Sequence, residues 1–450
     1  MRSPATRRLL APLALALALA CGRVAPIDPT TRLPADAKAA LALPPLPALK
    51  QALFELCYNV PGLDGVADLL HFRFGLDLEG DTEKARFGVA DDVPLALFLR
   101  GPFWVLAVPL DDPVRFSAYL AERLAGNGFD RVGPGAWTQG KRAVVARVDG
   151  GLAWISRGPA DGLGYLQGEL DKAAAGSFAP RLEVPPGATL ALRGRWFDLM
   201  SALDPLAIFG DVPLAVRGTL YGFGDVDATA TVGRDGVRLR VDLKGGGNAG
   251  LVRSLAGGGA PRWAALNDLA GWSPVARASL RVSPALVDPW LALVPGSAEG
   301  EGLKGQWDGS LAVAVGIPRS PARLVKALLG DPTRFPWSEL PWAVVAGRTP
   351  HEGLEALLGP VLPLPWRYAW GADQLTVRSG ADGRGEAQKE PGPAPTGLLS
   401  LRVSFRALYE AARETDLFPY ALKLLSGPRD LALDVTGRGD DLALTLELTL

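Results

Sequence analysis

The sequence predicts an α+β fold made of two diverged repeat halves, each an antiparallel sheet with helices packed on one face. Three observations carry this expectation. A unit of proline, alternating strand and helix with spaced apolar residues recurs, starting at Pro34, Pro185, Pro274 and Pro395, and the last two copies share Ser-Leu-Arg-Val-Ser at Ser279 to Ser283 and Ser400 to Ser404. A second unit, Trp104 to Val108 followed by Asp112-Pro113, returns as Trp342 to Val345 followed by Thr349-Pro350. Each half also closes on two period-two runs: Asp225 to Val232 and Val237 to Leu243 around Asp235-Gly236, then Leu431 to Val435 and Leu442 to Leu450 around Gly437 to Asp441. Such alternation across an Asp-Gly turn marks a hairpin.

The chain opens with Arg2, Arg7 and Arg8, an apolar run from Leu9 to Ala20 broken only by Pro12, and Ala18-Leu19-Ala20-Cys21-Gly22 at its end. The run is shorter than the roughly 20 residues a bilayer span needs, and it has the layout of a cleaved signal. It resembles a bacterial lipoprotein signal, with Ala18 standing where that family most often has leucine. The resemblance implies a signal peptide over 1–20, lipidation of Cys21 as the first mature residue, and attachment to the membrane through that lipid. Gly22, where an aspartate is absent, implies the outer membrane. The residues alone also fit an ordinary secretory signal cut after Ala20, with Cys21 incidental. Pro26, Pro29 and Pro34 around Thr30 and Thr31 then read as an extended tether over 21–32.

The first α+β half is expected over 33–245. It begins with a strand at Ala39 to Leu43 and a helix through Leu49 and Leu53, then a strand at Pro94 to Leu99. Trp104 to Val108 is followed by a helix carrying Phe116, Leu120 and Leu124, where Asp112 before Pro113 suits an N-cap with proline in the first turn. Leu190 to Arg193 and a helix from Trp196 follow. Residues 246–271 read as a glycine-rich linker with a short helix. The second half, 272–450, holds Leu311 to Val315, Ser320-Pro321, a Thr349/Glu352 capping box and a helix with Leu354, Leu357, Leu358 and Val361 on one face. Residues 387–395 read as a flexible loop inside it. The order of proline-led strand and helix, Gly75-Leu76-Asp77-Leu78, the Pro94 to Leu99 strand, Trp104 to Leu124 and a hairpin through Gly150-Gly151 resembles bacterial envelope proteins of the DUF3352 family. That resemblance implies this architecture and no activity.

Composition narrows function mainly by exclusion. Of 450 residues, 48% are hydrophobic and 21% charged, which excludes a disordered chain, and a formal net charge of −1 with interspersed signs offers no basic stripe for nucleic acid. Beyond Cys21 there is only Cys57, and His71 and His351 stand alone, so neither a disulfide framework nor a histidine metal motif is spelled out. No catalytic, cofactor or metal residues are assigned. The glycines from Gly245 to Gly259 match no phosphate-loop order and read as linker. Asp91-Asp92, Asp111-Asp112 and Asp440-Asp441 suit turns and caps, or calcium and acid/base work. Trp337, Trp342, Trp366 and Trp370 cluster among prolines and fit either a core or an apolar ligand surface. The sequence thus points to a non-enzymatic cell-envelope lipoprotein with an apolar ligand or an envelope-protein partner. The alternative is an envelope hydrolase, glycosidase-like, using paired carboxylates.

Overall fold

Asp112 shows how local sequence becomes structure: its Oδ1 accepts the Arg115 N–H at 3.0 Å, Pro113 takes the first turn, and a helix runs to Gly126. The computed structural model describes residues 24–59, 87–203, 221–255, 262–263, 265–266, 272, 274–284, 307–318, 340–348, 367–379, 381, 383, 397–413 and 426–450. These residues are mixed α and β, mostly antiparallel strands with a few helices, and they fall into two compact units.

The first unit holds β1 (Ala39–Pro45), β2 (Pro94–Arg100), β3 (Phe103–Pro109), β4 (Asp130–Gly133), β5 (Ala136–Gln139), β6 (Arg142–Asp149), β7 (Leu152–Pro159), β8 (Leu190–Arg195) and β9 (Asp225–Gly233). Its helices are α1 (Leu46–Asn59), α2 (Pro113–Gly126), α3 (Leu163–Ala175) and α4 (Trp196–Leu203). The strands pair antiparallel in the order β4-β5-β6-β7-β3-β2-β1-β8-β9. Val105, Ala107, Leu152 and Trp154 point to one face, where Leu166, Leu170 and Ala173 of α3 cover them. Val108, Ala153 and Leu95 point to the other, under Leu46 and Leu49 of α1 and Phe116 and Leu120 of α2. Helices therefore pack on both faces of this sheet, not on one. The reason is visible in β3 and β7: Trp104 to Val108 and Leu152 to Ile155 are apolar at every position, as in a sheet buried on two sides.

Residues 24 to 38, expected in large part as a free tether, are docked along the first unit. The Val24 N–H donates to the Asp111 carbonyl at 3.2 Å, the Ile27 N–H to Gly151 at 3.2 Å and the Lys38 N–H to Leu99 at 2.8 Å. Asp28 caps a 3-10 turn at Pro29–Thr31, accepting the Thr30 N–H at 2.9 Å and pairing with Arg181 at 3.1 Å. Thr30 and Leu33 are each only 2% exposed. Gly151 has to be glycine here, since a β-carbon would overlap the Ala25 carbonyl. Proline gives this strap its extended form, and Leu33 and Ile27 hold it by burial against the Trp154 core.

The second unit holds residues 221–224 and β10 (Gly236–Leu243), β11 (Pro274–Arg281), β12 (Trp307–Gly316), β13 (Trp342–Arg348), β14 (Arg367–Trp370), β15 (Gln374–Arg378), β16 (Leu399–Ser404), β17 (Asp430–Arg438) and β18 (Asp441–Thr449). Its helices are α5 (Ala249–Leu255) and α6 (Phe405–Arg413). The antiparallel order is β14-β15-β13-β12-β11-β16-β17-β18-β10. β10 belongs with this unit because it pairs with β18 from Gly236↔Thr449 to Leu243↔Leu442, whereas its place in the sequence suggested the first half. Ala312, Ala314, Ala343 and Val345 form a core with Leu266 and Trp272. The indole of Trp272 lies so close to Gly316 and Gly383 that a β-carbon at either would overlap it.

The glycines at 245–247 are part of a packed turn, not a flexible linker. A β-carbon on Gly245 would overlap the Asp440 carbonyl, and the Gly245 N–H donates to Asp441 Oδ1 at 3.1 Å. Cys21, Trp337, Trp366, both histidines, the Thr349 box, the helix expected at 354–361 and the loop at 387–395 lie outside the described residues.

Candidate functional site

A groove of about 800 Å³ in the first unit is bounded by α2, α3 and strands β4 to β6. Local sequence shapes each wall. On α2, Phe116 and Leu120 turn into the core, and the small residues Ser117, Ala118 and Ala121 leave the space beside them unfilled. On the other face of β6 stand Val145 and Arg147, which share that face by strand alternation, with Leu170 and Asp171 of α3 next to them. Trp137 of β5 closes the floor and is 5% exposed. Gly135 pins the β4–β5 tip against β6: its φ is 63°, its carbonyl accepts the Ala146 N–H at 2.8 Å, and a β-carbon would overlap the Ala146 carbonyl.

β6 divides this lining: Trp137 and Leu120 lie on its α2 side and Val145 and Leu170 on its α3 side, and the charged lining residues are Arg131, Arg147 and Asp171. The Arg147 guanidinium pairs with the Asp171 carboxylate, and Arg131 Nε donates to the Gly133 carbonyl at 3.3 Å. Asp171 is the one carboxylate among the residues lining the groove. A glycosidase needs two, roughly 5 to 9.5 Å apart. What the arrangement can do is receive a molecule with an apolar body against the Trp137 indole on the α2 side of β6, where Arg131, opposite Trp137 in register, can meet a polar or anionic end.

Of the four tryptophans singled out by the sequence, Trp342 opens β13 half-buried, and its backbone exchanges two hydrogen bonds with Ser379, at 3.1 and 3.0 Å. Trp370 ends β14 opposite Leu375. Trp337 and Trp366 lie outside the described residues. Trp137, on the four-residue strand β5, lines the groove, and no neighbouring tryptophan or motif marks it in the sequence. The small residues of α2 at i, i+1 and i+4 were the only signal, and small residues alone do not announce a cavity.

Three of the paired aspartates have local roles. Asp112 caps α2. Asp441 binds Lys244 at 2.9 Å, and this bond, with the Gly245 N–H second, holds its carboxyl below the usual aspartate range. Asp440 pairs with Arg253 at 3.3 Å. Two further charge networks are structural. Glu169 on α3 is buried and accepts from Lys172 at 2.8 Å and Arg100 at 2.9 Å, and Arg100 also reaches Asp36 at 2.6 Å. The Lys172 bond, followed by that to Arg100, holds the Glu169 carboxyl below its ordinary value against the opposing effect of burial. In the second unit Arg262 bridges Asp308 at 2.7 Å and Asp373 at 2.6 Å. Among the described residues no group of three or more His, Cys, Asp or Glu could hold a metal ion, and no helix is long and apolar enough to cross a membrane.

No family model matches the chain, and no curated protein matches it. Three solved structures are similar in part: crystal forms I, III and IV of TP0453. Their identities are 13%, 11% and 12%, over 48%, 50% and 49% of this chain and 79%, 85% and 81% of theirs, with TM-scores of 0.29, 0.30 and 0.29. At those TM-scores the likeness bears on neither fold nor function.

Proposed function

We propose that this chain is a non-enzymatic cell-envelope lipoprotein, anchored in the outer membrane through a lipid on Cys21, whose first unit binds an amphiphilic ligand. The groove carries the binding part of this reading: Trp137 and Leu120 on its α2 side with Arg131 beside them, and a single carboxylate, Asp171, already engaged by Arg147 on the other side of β6. The signal-like order of residues 2 to 22 supports the anchor.

The reading includes a duplicated scaffold. Support comes from strand order: β6-β7-β3-β2-β1-β8-β9 in the first unit has the same sequence-order pattern as β14-β15-β13-β12-β11-β16-β17 in the second. Between β3 and β6 the first unit carries the β4–β5 hairpin, which forms one wall of the groove.

The test is ligand recovery from the full chain. Protein purified from envelopes in mild detergent is analysed by native mass spectrometry beside an Ala118→Trp variant, which fills the groove from a helix surface. A bound amphiphile in the wild type and its loss in a folded variant is the expected result. Equal occupancy in both would place any ligand elsewhere.

A further inference from the structure

We propose that the docked strap fixes which end of the first unit meets the bilayer: the end formed by the β3–α2 turn at Asp111 to Val114 and the β6–β7 turn at Asp149 to Gly151. The inference rests on the lipid at Cys21 proposed above and goes beyond it to an orientation and a contact surface. A lipoprotein on a free tether of a dozen residues could sit some 40 Å from the membrane in any orientation. Here the chain is already held at Val24, by the Asp111 carbonyl, and again at Ile27, by the Gly151 carbonyl. Three peptide links separate the Cα of Cys21 from that of Val24, a reach of at most about 11 Å. The strap then runs away from this end, reaching Leu99 with Lys38 at the opposite end of the sheet.

The surface at the anchored end suits an interface. Val114, on the first turn of α2, is 74% exposed, the most open of the exposed large apolar residues, and Val148 on β6 is 37% exposed. Single exposed valines need no explanation on their own. Next to a chain that ends within about 11 Å of a lipid anchor, they are placed to enter the headgroup layer. The groove lies at the same end. Val148 lines it three residues before Gly151, and Ser117 and Ala118 line it four and five residues into α2 from Pro113, about 6 to 8 Å along the axis. An amphiphile leaving the bilayer therefore has a short path into the groove, and the partner of this surface is the lipid layer itself.

The experiment uses the full lipidated chain in phosphatidylcholine vesicles containing a lipid spin-labelled near its headgroup. A fluorophore is placed through Val114→Cys or, as a far-end control, Tyr165→Cys, whose hydroxyl lies by Gly101 at the β2–β3 turn and which is 55% exposed. Cys57 is buried and does not compete for label. Quenching at 114 and none at 165 is expected. Inserting about ten Gly/Ser residues between Arg23 and Val24 leaves the fold and the lipid untouched and abolishes the quenching at 114. Equal quenching at both positions, or quenching at 114 that survives the insertion, overturns the orientation. The N-terminal mass of the same samples separates the two ideas: a lipidated chain without the expected pattern fails only this inference, and an unlipidated chain fails the lipoprotein reading and this inference with it.

Discussion

Glu169 is buried beside Arg100 and Lys172, and its charge is favoured only because both cations are there. Its folded pKa lies below the ordinary glutamate value, so its contribution to stability is complete above that ordinary value and is lost as pH falls through the lower folded one. A stability-versus-pH profile of Glu169→Gln should accordingly show a flatter acid limb than the wild type. Arg100→Met removes one cation from a buried pair and should cost about 3 to 5 kcal/mol by denaturant titration. Ser279 and Ser400 make the opposite case. They face each other across β11 and β16, both buried, and each hydroxyl oxygen lacks a hydrogen-bond partner. Replacing both by alanine removes two buried, unsatisfied groups, and the denaturation midpoint should stay level or rise. The sequence brought these serines to notice as the first letters of a shared pentapeptide. It could not show that the two copies lie opposite one another in register.

At the scale of elements, what could be read is what local chemistry determines. Asp112-Pro113 starts α2, Trp196 starts α4 directly after β8, and the runs at Leu431 and Leu442 pair along their whole length. What could not be read depends on residues far apart in the chain. The strap looks like a tether because prolines give the same extended backbone whether or not it is docked, and only the Trp154 core it covers decides the matter. The groove draws on 117–121, 131–148 and 167–171, and none of these stretches carries a motif. If the strap is part of the fold, Leu33→Ala should destabilise the first unit by about 2 to 5 kcal/mol, as a buried leucine does. A change near zero in thermal or denaturant unfolding would return residues 24 to 33 to the status of a tether.

For the whole molecule, the described strands of the two units follow like orders, and the groove lies in the first. Among the described residues the first unit carries β4, β5 and the groove, and the second carries the ion pairs of Arg262 with Asp308 and Asp373 and of Asp441 with Lys244. Under the lipoprotein reading proposed above, the signal-like start would hold the chain at a membrane through Cys21. Cys21→Ser should therefore move the protein from the envelope fraction to the soluble fraction without altering its unfolding transition, since Cys21 precedes the strap. The most direct test of the account is the mass of the N-terminal peptide from native membranes. A mature chain that begins at Cys21 and carries acyl groups is the predicted result, and a chain that begins elsewhere or bears an unmodified Cys21 would contradict it.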